Sequence, residues 1–266
     1  MGILNITPDS FSDGGEFFDL EKARIQAEKL IQDGANIIDI GGESTRPGAL
    51  KVSEKEELER VIPIIKQIRL LNSDILISID TTKANVASSA IEAGADIIND
   101  ISGLSKDPEM SKIAYAYGVP IIIMHMKGTP RSMQMNPHYT NLIQEIREYF
   151  IERIKIVMNQ GIVKEDIILD PGIGFGKTVQ NNFELISQLN EFCKLGLPIM
   201  IGPSRKSFIG AVLDSPVEDR LEGTSATVTA GILNGARIVR VHDVKTMKRV
   251  VAITEKIRTA WLHFLK

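Results

Sequence analysis

Asp33-Gly34-Ala35-Asn36-Ile37-Ile38-Asp39-Ile40-Gly41-Gly42-Glu43-Ser44-Thr45-Arg46-Pro47-Gly48 contains one complete unit of the chain's architecture. Gly34 comes just past an amphipathic run, where glycine relieves the left-handed strain of a helix C-terminus. A nearly unbroken apolar run, residues 37–41, follows at once, as in a parallel strand buried on both faces. Next is a loop of Gly, Pro and hydrogen-bonding residues, too polar to enter a core. The same device recurs at Ala93-Gly94-Ala95-Asp96 and Asn234-Gly235-Ala236-Arg237. Tyr117-Gly118-Val119-Pro120 and Leu195-Gly196-Leu197-Pro198 repeat it with proline as the stop.

Working outward from this unit, strands are expected at residues 2–5, 37–41, 76–80, 97–100, 120–125, 167–170, 199–202 and 238–241. Between them lie helical patterns at 20–33, 53–70, 83–93, 108–117, 141–160, 182–195, 222–233 and 244–264, with a smaller helical piece at 206–213. Eight strands alternating with eight helices is the count of a closed (β/α)8 TIM barrel, an α/β fold. An open doubly wound sheet is the alternative, but the dinucleotide fingerprint after its first strand is missing. No linker, low-complexity segment or like-charge block marks a second domain, so residues 1–266 read as one domain.

Composition narrows the function. At 266 residues, 43% hydrophobic and 24% charged, the chain is ordinary globular material. A net charge of −3 gives no electrostatic case for nucleic acid or an anionic membrane. The one cysteine, Cys193, lies in a helical flank and reads as a packing residue in a reducing compartment. No apolar run approaches the roughly 20 residues that span a bilayer, and no secretory signal is visible. A cytoplasmic protein is expected.

In such a barrel the C-terminal strand ends form the active face. Read in order, those ends give Asn5, the 41–48 loop, Asp80, Asn99-Asp100, His125, Asp170, Ser204-Arg205-Lys206 and Arg240-Val241-His242. One Asp at a strand end is often only a helix N-cap; eight polar ends converging on one mouth are harder to explain as caps. Asp80, Asn99 and Asp170 offer acceptors and an amide suited to adjacent N–H donors on a heterocycle, and Lys206 can donate to that ring's acceptors. Arg46, Arg240 and His242 form a cationic group suited to phosphate or pyrophosphate. Asn5 could contact a phosphate or bind a hard cation such as Mg²⁺, which prefers oxygen and bridges substrate phosphates.

Three features are decoys. Gly172-Ile173-Gly174-Phe175-Gly176-Lys177-Thr178 looks like a phosphate loop, but the position five before Gly176 is Pro171, so the nucleotide-loop spacing fails. The four histidines show no zinc-like spacing. Lys206 fits an electrostatic or hydrogen-bonding role better than a Schiff base.

Gly2-Ile3-Leu4-Asn5-Ile6-Thr7-Pro8-Asp9-Ser10-Phe11-Ser12-Asp13-Gly14-Gly15 closely resembles the first signature of the dihydropteroate synthase family, and residues 39–48 resemble its second. Residues 170–177, Gly202-Pro203-Ser204-Arg205-Lys206 and Arg240-Val241-His242-Asp243 match further family segments. The resemblance runs from residue 2 to the last helix and lacks only the short segment that usually precedes the first strand.

It implies a pterin-binding transferase of folate biosynthesis. Such an enzyme joins 6-hydroxymethyl-7,8-dihydropterin pyrophosphate to p-aminobenzoate and releases pyrophosphate and 7,8-dihydropteroate. By the same resemblance, Asp80, Asn99, Asp170 and Lys206 would hold the pterin. Asn5, Arg46, Arg240 and His242 would hold pyrophosphate, with Mg²⁺ near Asn5 and Asp13. Phe11, Thr45, Pro47, Phe175 and Ser204 would shape the aminobenzoate site, its carboxylate near Ser204 and a helix N-terminus, a setting that favours anions. Asn5, Phe11, Asp13, Thr45, Arg46 and Lys206 are then the candidate catalytic set. The family also implies a homodimer formed through late helices and sensitivity to sulfonamides, which mimic aminobenzoate.

Two rivals stand beside this reading. A methyltransferase barrel that binds methyl-tetrahydrofolate shares the Asp/Asn/Asp set but has no need of the pyrophosphate cations. A catalytically dead barrel would have lost its charged strand ends. Phe11→Ala is expected to raise KM for aminobenzoate roughly tenfold, the worth of one aromatic contact, and to leave pterin affinity unchanged. Steady-state kinetics with pterin calorimetry check this, and equal loss of both would contradict the division of labour.

Overall fold

The strand order is the chain order. In the computed structural model, which describes residues 1–6, 16–44, 51–129, 133 and 137–264, β1 (Gly2–Asn5), β2 (Ile37–Gly41), β3 (Leu76–Asp80), β4 (Ile97–Asp100), β5 (Ile121–Met124) and β6 (Ile167–Asp170) pair side by side, all parallel. β7 (Met200–Ile201) pairs with β8 (Ile238–Val239). Two single parallel bridges join the pieces, Leu169 to Ile199 and Gly2 to Val241. The ring therefore closes, with Ile3 N–H donating to the Val241 carbonyl at 3.1 Å across the seam. This is the barrel expected from the alternation.

β7 and β8 are shorter than the four residues expected of each. Pro198 has no N–H to donate, so the ladder there starts late, although its carbonyl accepts Leu169 N–H at 3.0 Å.

Helices wrap the outside: α1 (Glu16–Gln32), α2 (Glu54–Leu71), α3 (Ala84–Glu92), α4 (Met110–Tyr117), α5 (Leu142–Gln160), α6 (Val179–Ser187), α7 (Asn190–Cys193), α8 (Ser207–Leu213), α9 (Leu221–Leu233) and α10 (Val244–Phe264). The single helix expected at 182–195 is two. It starts earlier because Thr178 and Asn181 make a reciprocal capping box, and it breaks after Gln188 as the chain turns Leu189 into the core. Cys193 ends α7 half-buried, with its thiol packed under the 234–235 turn, as expected of a packing residue.

Strand alternation makes two apolar layers and one polar one. Ile38, Ile40, Ile77, Ile79, Ile98, Ile121, Ile123, Leu169 and Ile201 face outward into the helix-packed core. Ile37, Ile97, Ile122, Ile168 and Met200 face inward and fill the barrel as a separate cluster, with Ile238 against it. One pleat further along, the inward positions are Asp39, Asn99, Met124, Asp170, Gly202 and Arg240. The apolar cluster is thus the floor of a polar mouth. Among the described residues, no helix is long and apolar enough to cross a membrane.

Candidate active site

Asp80, Asn99, Asp170, Phe175, Lys206 and Arg240 line one cavity above that floor, together with Met124 and Gly202. All six were expected in the site. Asn5 ends β1 half-buried at the same face. Phe11, Asp13, Thr45, Arg46 and Pro47 lie outside the described residues.

The centre of the site is a group that strand-end reasoning passed over. Asp39, inside β2 and 0% exposed, accepts Arg240 Nε at 2.5 Å and both contacts of the Asn99 amide at 3.2 and 3.3 Å. Arg240 Nη2 reaches Asp80 at 2.8 Å. Arg240, expected among the phosphate-binding cations, is engaged here by two carboxylates, which one guanidinium spans. The signal for Asp39 was present in Ile37-Ile38-Asp39-Ile40, where a lone acid interrupts an apolar run.

This pairing fixes Asn99. Its NH2 must face Asp39, so its oxygen faces away, and that buried Oδ1 has no hydrogen-bond partner. A buried acceptor without a donor is costly, which marks a position awaiting one. Asp170 accepts Gly172 N–H on one oxygen at 2.7 Å. Burial raises the Asp170 carboxyl above its usual range, against the pull of that N–H and of Lys206. Asp80 is pushed up to about 7, chiefly by burial, with Arg240 opposing and Asp39 reinforcing the rise.

Lys206 stands 3.9 Å from the centre of the Phe175 ring. Burial and the neighbouring Arg240 lower its ammonium to about 8, while Asp170 and Asp80 oppose that shift. Ser204 does not line this cavity: its buried Oγ meets His242 Nδ1 at 3.0 Å and accepts His242 N–H at 3.2 Å. Burial, with Arg240 and Arg205 nearby, lowers His242 to about 4, so at neutral pH it is a neutral imidazole and not a cation. The direction of the Ser204–Nδ1 bond depends on the imidazole tautomer; with Ser204 as donor, the ring proton sits on Nε2.

Two other strand ends turn away from the mouth. Asp100 accepts Ser102 N–H, Ser102 Oγ–H and Leu104 N–H, all within its own turn. His125, just past β5, packs edge-on to Tyr149 and bonds Lys177 Nζ at 3.1 Å. Both are structural, and the convergence is narrower than eight ends.

Fold and mouth together define a (β/α)8-barrel enzyme of the pterin-binding class. A family model described as pterin binding enzyme matches residues 1–242. The dihydropteroate synthase of Synechocystis is 53% identical over 97% of this chain and 89% of its own length. A Yersinia pestis dihydropteroate synthase, solved as a sulfonamide drug complex, superposes with a TM-score of 0.91 at 43% identity, covering 97% of this chain and 94% of that one. A Clostridium difficile dihydropteroate synthase, solved in the presence of pteroic acid, gives a TM-score of 0.90 at 46% identity, covering 97% and 95%. The chain belongs to the pterin binding enzyme family, among its dihydropteroate synthases, which are transferases.

Arg240→Met would leave two buried carboxylates without their shared cation, and Asp80 would take up a proton at neutral pH. Stability is expected to fall by about 3 kcal/mol. An Asp whose folded pKa is raised is destabilising above its unfolded pKa; losing Arg240 raises Asp80 beyond about 7, so its part of the deficit builds as pH rises above about 7 and is absent below that. Urea unfolding of both proteins at pH 8.5 and pH 5.5 measures it; an equal deficit at both pH values would contradict the pairing.

Proposed function

We propose that the chain condenses 6-hydroxymethyl-7,8-dihydropterin pyrophosphate with p-aminobenzoate, releasing pyrophosphate and forming 7,8-dihydropteroate for folate biosynthesis. The observation that carries this reading is the unpartnered Asn99 Oδ1 set between Asp80 and Asp170. Three acceptors on one wall suit a ring edge rich in N–H donors, which the aminopyrimidine half of a pterin supplies. Lys206, on the opposite side of the demand, donates to the ring's acceptor atoms. The relatives' complexes with pteroic acid and a sulfonamide drug support the same pair of substrates.

The chain's own groups then account for the chemistry. Bound pterin N–H groups favour the ionised form of Asp80, so binding expels the proton that Asp80 holds near neutrality. The carboxylates of Asp80 and Asp170 face the ring into which positive charge spreads as the methylene C–O bond breaks. His242 offers Nε2–H to the departing pyrophosphate as a neutral donor, and Arg46 supplies the cation. The aniline nitrogen attacks the activated carbon over the Phe175–Lys206 platform, without a strong base before attack. Phe11, Thr45, Pro47 and Ser204 complete the aminobenzoate side.

Mg²⁺ fits the hard oxygen donors proposed at the mouth, the Asn5 amide with the Asp13 carboxylate, since Mg²⁺ keeps several waters and takes few protein oxygens. When bound it neutralises charge on the pyrophosphate leaving group.

The reaction is placed in the cytoplasm, with small-molecule substrates and neither nucleic acid nor membrane as partner. The working unit is a homodimer. Along α10, Val250 and Val251 pack on the barrel, whereas Ile253 and Ile257 are 65% and 52% exposed. That outward pair favours an interface, and light scattering at micromolar concentration should return twice the mass of one chain.

Pyrophosphate release that requires both substrates is the direct test. Asp170→Asn should weaken pterin binding roughly 10–100-fold, as expected for loss of a charge-assisted bond. Release without aminobenzoate, or unchanged pterin affinity in the variant, would overturn the assignment.

A further inference from the structure

Lys206 and Ser204 flank a residue in an unusual backbone state. Arg205 has φ +57°, one of three positive φ values at non-glycine positions among the described residues. L residues rarely visit this region, and such strain persists only where the surroundings over-determine it. Three groups do so here. Arg205 N–H donates to Thr224 Oγ1 at 3.1 Å. Its guanidinium lies on Asp243, at 3.0 and 2.6 Å. Its carbonyl accepts Arg220 Nη1 at 3.0 Å.

The hydrogen bonds of Arg220 go to residues outside the lining of the Asp80–Asp170 cavity. Its other two donors go to the Ser215 carbonyl, at 3.2 and 3.0 Å, in the link between α8 and α9. The guanidinium packs flat on Gly210, where a Cβ would strike it. One half-buried fork thus binds the start of α9 to the turn that opens α8. The left-handed residue reverses the chain between Ser204, which points to His242, and Lys206, which points over Phe175. Without that reversal the two side chains cannot serve different parts of the mouth.

We infer that Arg220 is a positioning residue: by holding the Arg205 carbonyl it locks the left-handed turn that aims the Lys206 ammonium into the pterin pocket. The functional meaning of this rests on the proposed pterin reaction, but the lock itself can be read without substrate. The groups facing Lys206 are Arg240 from β8, Asp170 from β6, Asp80 from β3 and the buried Lys177 after β6. A lysine held among them titrates low, at about 8, through burial first and Arg240 next.

The test is an NMR titration of protein carrying 13Cε-lysine, with the Lys206 signal assigned by its loss in Lys206→Arg. In Arg220→Met the Lys206 midpoint is expected to rise by at least about one pH unit toward the ordinary lysine value. Adding Arg205→Gly to Arg220→Met should bring it back, because glycine holds positive φ without a side-chain penalty. Thr224→Val, which removes the N–H acceptor from the other side, should shift it in the same direction and serves if Arg220→Met does not fold. An unmoved Lys206 midpoint in a folded Arg220→Met or Thr224→Val protein overturns the inference, as does a double variant as displaced as the single. Pyrophosphate release by the wild-type chain tests the reaction separately, so failure of one is distinguishable from failure of the other.

Discussion

A closed barrel of parallel strands forces every second side chain into a space that water does not fill, and everything functional in this chain is arranged around that constraint. At the level of Ile97, Ile122, Ile168 and Met200 the inward residues are apolar and the demand is met by packing. One pleat higher the same strands present Asp39, Asn99, Asp170 and Arg240. Burying these charges unpaired would cost several kcal/mol each. They are tolerable only because Arg240 reaches two carboxylates at once and Asn99 donates to the one lying deeper. The bridge from Gly2 to Val241 is what brings the end of β8, and so Arg240, back beside β1 and within reach of Asp39 on β2 and Asp80 on β3.

This pairing also sets what the pocket can recognise. Three carboxyl groups, Asp39, Asp80 and Asp170, face two cations, Arg240 and Lys206, so the pocket is acceptor-rich and becomes net anionic as Asp80 gives up its proton. It therefore suits a ring that donates hydrogen bonds and gains positive charge during reaction. The cations that would hold a phosphorylated leaving group must come from elsewhere, since Arg240 is already committed and His242 is neutral.

Legibility in the sequence followed geometry. Strand ends in a barrel point to one face whatever their neighbours do, so Asp80, Asn99, Asp170 and Lys206 could be placed from position alone. Orientation depends on partners distant in sequence, and there the reading from sequence was incomplete. Asp100 and His125 occupy strand-end positions but are consumed by Ser102 and Lys177. The Ser204 hydroxyl meets His242, 38 residues away, a contact that position alone does not reveal. Asp39 could be seen as an acid in an apolar run, yet nothing local says that its partner is 201 residues downstream. Glu57 was legible but passed over: it lies four residues before Val61 on the stripe that continues through Ile64, Ile65 and Ile68, which is why it alone of the helix's glutamates is buried, against Lys83.

The glycine-rich segment after β6 shows the same logic from the backbone side. Its spacing fails for a nucleotide loop, and the structure supplies another reason for the glycines. A Cβ on Gly172 would run into the His125 carbonyl and one on Gly176 into that of Lys127, both at positive φ. Two loops therefore cross with their backbones in contact. Lys177 supplies a donor there, reaching the carbonyls of Phe175 at 2.9 Å and His125 at 3.4 Å. Its ammonium, lowered to about 7 chiefly by burial, sits where a phosphate loop would hold its lysine toward a nucleotide, but here it binds the protein to itself. The result is a Phe175 ring held beneath Lys206, so a motif that fails as a phosphate site succeeds as one wall of the cavity.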